Sequence, residues 1–203
     1  MKGLSCLALT LFLYAGSTWS QTGPAPGDVP SANRARAEVF GGFSFAGGGA
    51  SQAGFATGID YGFNGGADFR LRNHIFLVGD VSQYNDPTNN VDTSSDTVFL
   101  FGPRYLVALR PQSRVSLFGE FLAGGNAFHN SGQSYTFLYN SATTFAFAAE
   151  GGLDYAWSRH WSTRFEGGFL HSTLDYSTYG GPAVPATAPN SRGRFAADVV
   201  YRF

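Results

Sequence analysis

Charge is scarce in this sequence, and lysine is almost absent. Charged residues make up 13% of the chain, whereas a water-facing surface needs about 25–35%. Lys2 is the only lysine, so every other cation is an arginine. This composition argues against a fully water-exposed exterior. The formal net charge of -1 also gives no electrostatic basis for binding nucleic acid or an anionic membrane surface.

Cysteine and long apolar runs are also lacking. Cys6 is the only cysteine, and it lies in a segment that we expect to be removed. The mature chain would then have neither structural disulfides nor a cysteine-based zinc or nucleophile site. No stretch of about 18 apolar residues occurs, which excludes ordinary membrane-spanning helices.

The N-terminus has the pattern of a secretory signal. Lys2 precedes an apolar run at residues 7–16, and Thr18 and Ser20 precede a suitable cleavage point. We therefore predict a signal peptide at residues 1–20. A retained helical anchor is the alternative, but a run of about ten residues is too short to span a bilayer. Residues 21–33, rich in Pro and Gly, are predicted to be a flexible lead-in.

From residue 34 onward, apolar and polar residues alternate with a period of two, which is typical of strands with two different faces. Eight such segments can be delimited, and the apolar face of each carries no charged residue. This face consists of the odd-numbered residues of 35–45, 63–71, 75–81, 99–107, 115–123, 145–155, 161–169 without Thr163, and 195–203, many of them Phe.

The opposite face of the same strands collects the charged residues. Arg36 begins it, and its other members are Glu38, Asp68, Arg70, Asp80, Arg104, Glu120, Glu150, Asp154, Arg164, Glu166, Arg194, Asp198 and Arg202. A soluble, lipocalin-like barrel alternates in the same way, with its charges in water. The low charge content, the use of Arg and the bulky Phe face favour the opposite orientation, because Arg pairs well with buried carboxylates. We predict an all-β, closed, antiparallel, eight-stranded transmembrane barrel over residues 34–203.

The connections between the predicted strands alternate in length. Residues 72–74, 110–113 and 158–160 form tight turns, whereas residues 46–60, 85–95, 129–143 and 175–191 form long polar loops. Outer-membrane barrels have short periplasmic turns and long external loops. This alternation supports the membrane barrel independently of the face pattern.

The segments AEVFGGFSF, FNGGADFRL and GGLDYAWSRHWSTRFEGG, with the last strand RGRFAADVVYRF, resemble the eight-stranded outer-membrane barrel family related to OmpA and OmpX. Tyr201 and Phe203 resemble the assembly signal of that family, although Asp198 stands where Gly is frequent. The resemblance implies a location in the cell outer membrane, with the barrel assembly machinery and periplasmic chaperones as partners during biogenesis. We expect no peptidoglycan-binding domain after the barrel.

The inward charges allow two interpretations. They could form an ion or proton pathway, but an eight-stranded barrel is just wide enough to be filled by side chains. A structural salt-bridge network that includes Arg104, Glu120, Glu150, Arg164, Glu166 and Arg202 is therefore the preferred hypothesis. Which carboxylate pairs with which arginine is left open.

A hydrolytic site would use His171 with Ser172 or Thr173, and with Glu150 or Glu166 as the acid. His171 and Thr173 share one face of their strand, whereas Ser172 and Glu166 lie on the other, so no face holds all three groups. A calcium site at Asp86, Asp92 and Asp96 is less favoured than a plain polar loop, because the spacing matches no calcium motif. His74, His129 and His160 are too scattered for a metal cluster.

Aromatic residues mark both ends of the predicted barrel. Tyr155, Trp157, Trp161, Tyr201 and Phe203 lie near the short turns, and Tyr84, Tyr135, Tyr176 and Tyr179 near the long loops. We expect a monomeric, non-enzymatic outer-membrane protein without catalytic residues, metal or cofactor, whose structural, adhesive or binding role lies in the long loops. A small porin-like channel and a lipid-modifying enzyme are the alternatives.

Overall fold

The computed structural model describes residues 36–47, 59–85, 94–109, 113–130, 137–138, 142–178 and 186–203. The predicted signal peptide and lead-in lie outside these residues. Within the described ranges, no helix has the length and apolar character needed to cross a membrane.

The described chain forms nine antiparallel strands. Eight of them are 11–18 residues long, and the ninth, β6, has only two residues. Their bounds are β1 Ala37–Gly47, β2 Ile59–Arg72, β3 Ile75–Asn85, β4 Ser94–Ala108, β5 Val115–Asn130, β6 Phe137–Leu138, β7 Ala142–Ala156, β8 Trp161–Thr178 and β9 Ala186–Arg202.

The eight long strands close into a barrel. Each pairs with the next long strand along the chain, and β9 pairs with both β8 and β1. Closure leaves no sheet edge whose backbone groups would be unpaired in hydrocarbon. The short β6 pairs only with the end of β8, where Phe137 faces Thr178. The predicted closed eight-stranded fold is confirmed.

Side chains alternate between a buried interior and an exposed exterior along each strand. On β4, Leu100 and Arg104 are 3% and 2% exposed, whereas Phe101 is 59% exposed. The outward positions are largely Phe, Val, Leu and Tyr, and neighbouring rings pack across strands, as in Phe43 against Phe63 (5.1 Å between ring centroids). The barrel thus presents an apolar exterior around a polar lumen, the reverse of a water-soluble fold.

The connections between strands are short at one end of the barrel and longer at the other. At one end, which we call the short-connection end, residues 73–74, 109–114 and 157–160 join β2–β3, β4–β5 and β7–β8. At the opposite end, the strand bounds leave residues 48–58, 86–93 and 179–185 between strands, and 131–141 around β6. Most of these residues lie outside the described ranges.

The predicted strand ends at this second end were wrong, because the strands continue into the expected loops. β4 begins at Ser94, inside the predicted loop 85–95, and β9 begins at Ala186, inside the predicted loop 175–191. β8 likewise extends to Thr178, beyond the predicted loop start at Asp175. These extensions are rich in Ser, Thr, Asn and Pro on both faces, so the apolar alternation that delimits the central strands is absent there.

Two glycines make room for aromatic rings inside the barrel. A side chain at Gly66 on β2 would collide with the ring of Phe40, and one at Gly152 on β7 with the ring of Phe118. Both phenylalanines are buried. Glycine is therefore needed at these positions for steric reasons, and the space it leaves allows large rings to pack beside the interior arginines.

Candidate functional site: the charged interior of the barrel

Arg164 on β8 is the centre of the ion network at the short-connection end. Its guanidinium donates from Nε to Asp154 Oδ1 (2.8 Å), from Nη1 to Asp68 Oδ2 (2.9 Å) and from Nη2 to Glu38 Oε2 (2.8 Å). These carboxylates come from β7, β2 and β1, and all four side chains are almost fully buried. One arginine therefore joins four strands through charge-assisted hydrogen bonds.

Arg104 on β4 extends this network to the other side of the lumen. It donates from Nη1 to Asp68 Oδ2 (2.5 Å) and from Nε to Glu120 Oε2 (2.7 Å), and its Nη2 lies 3.7 Å from Glu166 Oε2. One oxygen of Asp68 thus accepts from both Arg104 and Arg164. The shared carboxylate offsets part of the repulsion between two neighbouring cations.

Two aromatic rings enclose the paired guanidiniums. The Arg104 Cζ atom lies 4.6 Å from the Phe118 ring centroid and 5.9 Å from that of Phe40. For Arg164 the corresponding distances are 5.4 Å and 5.3 Å. These cation–π contacts, desolvated by burial, add to the ion pairs. Phe40 and Phe118 were not among the predicted site residues. They share the inward phase of Glu38 and Glu120 on their strands, and this phase could have identified them.

Arg202 closes the network near the end of β9. Its Nε donates to Glu38 Oε1 (3.0 Å), and its Nη2 lies 3.6 Å from Asp154 Oδ2. Arg202 and Glu38 also face each other in the β1–β9 register. The ion pair therefore joins the first and last strands, where the barrel closes.

A second cluster surrounds Arg194 in the middle of the lumen. Its guanidinium bonds Asp80 (3.0 Å), Glu150 (3.1 Å) and Glu166 (3.4 Å). Carboxylate oxygens of Glu120, Glu150 and Glu166 lie within 4.8 Å of one another. Each of these glutamates also contacts Arg104 or Arg194.

Arg192 forms a third cluster near the opposite end. Its guanidinium donates to Asp60 (2.8 Å) and Asp96 (2.5 Å), and its Cζ lies 5.4 Å from the ring centroid of Tyr84. Asp60 and Asp96 were predicted to lie in loops, and Tyr84 was predicted to be an interface anchor. These expectations were wrong, because Asp60 lies on β2 facing the lumen, Asp96 is buried on β4, and Tyr84 is 1% exposed.

Arg70 and Asp198, also predicted to face inward, lie at the margins of these clusters. The half-buried Arg70 has its Cζ 5.1 Å from the Phe76 ring centroid. Asp198 is buried on β9, and the absence of a side chain at Gly42 on β1 leaves room for its carboxylate. Arg36, which the alternation assigned to the inward face, directly precedes β1 and is exposed.

Apolar side chains also line the lumen beside the charged clusters. Leu100, Leu122, Leu170 and Val98 are at most 3% exposed. They belong to one buried group whose other members are Phe40, Ala46, Val78, Tyr84, Ala146, Ala148 and Val200. Charged and apolar side chains are thus buried together in the barrel interior.

Aromatic side chains form a band at the short-connection end. Tyr155 and Trp157 are 44% and 50% exposed, and Trp157 Nε1 donates to Thr163 Oγ1 (2.9 Å). Trp161 packs edge-on against Tyr201 (4.9 Å), which contacts Phe203 (5.0 Å). Of the aromatic residues predicted at the other end, Tyr135 and Tyr179 lie outside the described residues, as does the side chain of Tyr176.

His171 contacts Ser191, a residue that the hydrolase hypothesis did not include. His171 Nδ1 lies 2.8 Å from Ser191 Oγ on β9, and its ring packs 5.0 Å from Phe147 on the outer face. Ser172 is buried in the lumen, on the opposite face from His171. The described contacts of His171 include no carboxylate. Asp86 and Asp92 lie outside the described residues, and Asp96 is engaged with Arg192.

The sequence itself identifies the class. The model of the outer membrane protein β-barrel domain family matches residues 9–203, and the chain belongs to this family. No curated protein shows significant sequence similarity to it.

Solved outer-membrane proteins share the fold at low sequence identity. OprG of Pseudomonas aeruginosa aligns with a TM-score of 0.61 and 11% identity, covering 87% of this chain and 99% of its own. Neisserial surface protein A gives 0.58 and 14%, covering 82% and 97%. Outer membrane protein W of E. coli gives 0.55 and 13%, covering 85% and 100%.

These similarities establish the fold and the compartment. The predicted eight-stranded outer-membrane barrel and its location in the outer membrane are confirmed. The kinship to OmpA and OmpX in particular, the signal peptide, the assembly partners and the monomeric state stay predictions.

Proposed function

We propose that this protein is a non-enzymatic membrane anchor whose lumen is sealed and whose long connections bind a partner outside the membrane. The supporting observation is that three arginine clusters and a buried apolar group together occupy the barrel interior. A lumen filled in this way offers no continuous water path, and the connecting segments are then the parts of the protein free to differ in function.

The network has a structural role in this proposal. Arg164, Arg104 and Arg194 each contact carboxylates from at least three other strands. Ties of this kind fix the relative positions of strands that are distant in sequence. We propose that they maintain the barrel shape, while Tyr201 and Phe203 on the closing strand act as the signal for the assembly machinery.

Planar-bilayer recordings test whether the lumen is sealed. We expect the purified protein to give no reproducible single-channel steps in 1 M KCl, because Arg194 and the apolar group around Leu122 and Leu170 block the axis. Reproducible steps of uniform conductance from protein with the native heat-modifiable gel mobility would contradict the sealed lumen and support the alternative of a small channel.

Protease treatment of whole cells tests the placement of the long connections. We expect cleavage only within residues 48–58, 86–93, 131–141 and 179–185, because exposed polar segments are cut before hydrogen-bonded strands. The short connections, for example Asn73 and His74, should be cut only after the cells are permeabilised. Cleavage at Asn73 in intact cells would show that the opposite end faces outward.

The lipid-modifying alternative has one observation in its favour, the contact between His171 and Ser191 on the outer face. A serine and a histidine in contact form the first half of a nucleophilic site, but the histidine also needs an orienting acid. The hypothesis requires a lipid modification that appears on overproduction and is lost in both His171→Ala and Ser191→Ala.

A further inference from the structure

The exposed arginines of the described chain all lie at the short-connection end. Arg36 precedes β1, Arg72 ends β2, Arg114 precedes β5, and Arg159 lies between β7 and β8; all four are exposed. Every other described arginine is buried in the lumen except the half-buried Arg70. Arg159 interacts with another group of the protein, so we restrict the name arginine rim to Arg36, Arg72 and Arg114.

Acidic side chains do not neutralise this rim at the surface. Among the described residues whose side chains are placed, no Asp or Glu is exposed. The carboxylates closest to this end along the strands, Glu38 and Asp154, point into the lumen and bond Arg164. Within the described residues the charges are therefore separated, with the acidic side chains turned to the lumen and exposed arginines at one end.

The rim arginines are distributed around the circumference. Arg72 and Arg114 lie at two different short connections, and Arg36 directly precedes β1. Since neighbouring strands are about 4.8 Å apart, connections separated by two strands are about 10 Å apart along the barrel wall. This spacing presents several separate cationic sites rather than one dense basic patch.

The same end carries the band of exposed aromatic side chains that includes Tyr155 and Trp157, and Tyr105 is 55% exposed nearby. Such rings favour the boundary between acyl chains and headgroups. An arginine beside this boundary keeps its stem on apolar surface and extends its guanidinium to the headgroup level. Guanidinium groups bind phosphate oxygens with two parallel hydrogen bonds.

We propose that the arginine rim binds the phosphate groups of anionic phospholipids in the adjacent membrane leaflet. The aromatic band places the rim at headgroup depth, and the separate sites suit small individual headgroups better than one extended acidic polymer. The site would orient the barrel in the membrane and give it a selective shell of lipid. The proposal requires that the barrel spans the membrane, and it is independent of whether the lumen is sealed.

Quenching of tryptophan fluorescence by brominated lipids tests this directly. In a Trp19→Phe background, Trp157 and Trp161 are the only tryptophans, and both lie at this end. The protein is folded into phosphatidylcholine vesicles in which one lipid fraction is brominated, either phosphatidylglycerol or phosphatidylcholine. We expect a relative binding constant for phosphatidylglycerol of about fivefold at low salt, the factor expected from one arginine near the surface.

A charge-removing variant and a charge-retaining variant provide the controls. The triple variant Arg36→Gln, Arg72→Gln, Arg114→Gln should bring the ratio close to one, whereas the matched triple lysine variant should retain most of the preference. The preference of the unmodified rim should also fall as salt is raised, because screening weakens interactions between exposed charges. Heat-modifiable gel mobility verifies folding of each variant.

Three results would overturn the proposal. A ratio of one for the unmodified rim at low salt would show no lipid selectivity, and a preference unchanged in 1 M NaCl would show that charge does not cause it. A preference retained in the folded glutamine variant would assign it to other residues. The first two measurements need no rim variant, so they decide the question even if the glutamine triple does not fold.

Discussion

Arg164→Ala should lower the free energy of unfolding by about 3–5 kcal/mol, the range found when one partner of a buried ion pair is removed. The substitution leaves Glu38, Asp68 and Asp154 without their shared cation in the lumen. Arg104 still bonds Asp68 and Arg202 still bonds Glu38, so part of this loss is compensated. Asp154 keeps only Arg202 Nη2, at 3.6 Å. Urea-induced unfolding in vesicles, followed by gel mobility and tryptophan fluorescence, measures the difference.

The matched control is Arg114→Ala, which removes an exposed arginine at the same end of the barrel. Surface substitutions of this kind change stability by about 0.5 kcal/mol or less. Equal effects of the two substitutions would show that the interior pairs contribute no more than exposed charges. The ion network would then not stabilise the barrel.

Phe101→Arg should destabilise the folded protein in vesicles by about 2–4 kcal/mol, the cost of an arginine at the bilayer midplane on the lipid face of a barrel. Phe101 lies near the middle of β4, faces outward and is 59% exposed. In a water-facing barrel the same change would instead replace an exposed apolar ring by a well-solvated cation. Its effect therefore reports what surrounds the barrel.

Val107→Arg on the same strand is the control for depth. Val107 also faces outward, at 44% exposed, but it lies next to the end of β4. Near the interface the expected cost falls to about 0–1 kcal/mol. A larger loss from Val107→Arg than from Phe101→Arg would contradict the placement of β4 across the membrane.

The central part of each strand could be predicted from the sequence because its two faces meet different surroundings. Asp68 and Arg164 occupy the phase opposite to Phe69 and Phe165, and this phase holds in the structure. A side-chain period of two assigns every residue of a strand to one face once a few are assigned. The same logic would have placed Tyr84 inside, since it shares its phase with Asp80.

The cluster around Arg192 could not be found by the same pattern. Its members Asp60, Asp96 and Arg192 lie where the strands have passed the apolar band, so polar residues occupy both faces and the alternation vanishes. If the strands are assumed to continue, these residues share the inward phase of Asp68, Arg104 and Arg194. Because the composition of these segments is typical of loops, loops were predicted there instead.

The pairing of the ions is set by the three-dimensional closure of the barrel and has no local signature. Arg164 reaches Asp68 across 96 positions and Glu38 across 126 positions of sequence. Such partners are determined by strand tilt and register around the barrel. The packing of Phe40 and Phe118 against the two guanidiniums depends on the same geometry, together with the space left at Gly66 and Gly152.

The orientation of the two faces is the central claim, and spin-label accessibility on β5 measures it. Single cysteines introduced at Leu117, Phe121 and Ala123 in a Cys6→Ser background carry the label on the outward face of the folded protein in vesicles. We expect strong relaxation by dissolved oxygen and weak relaxation by a water-soluble nickel chelate, with the contrast greatest at Phe121. Labels relaxed more strongly by the nickel chelate than by oxygen would show that the Phe-rich face meets water.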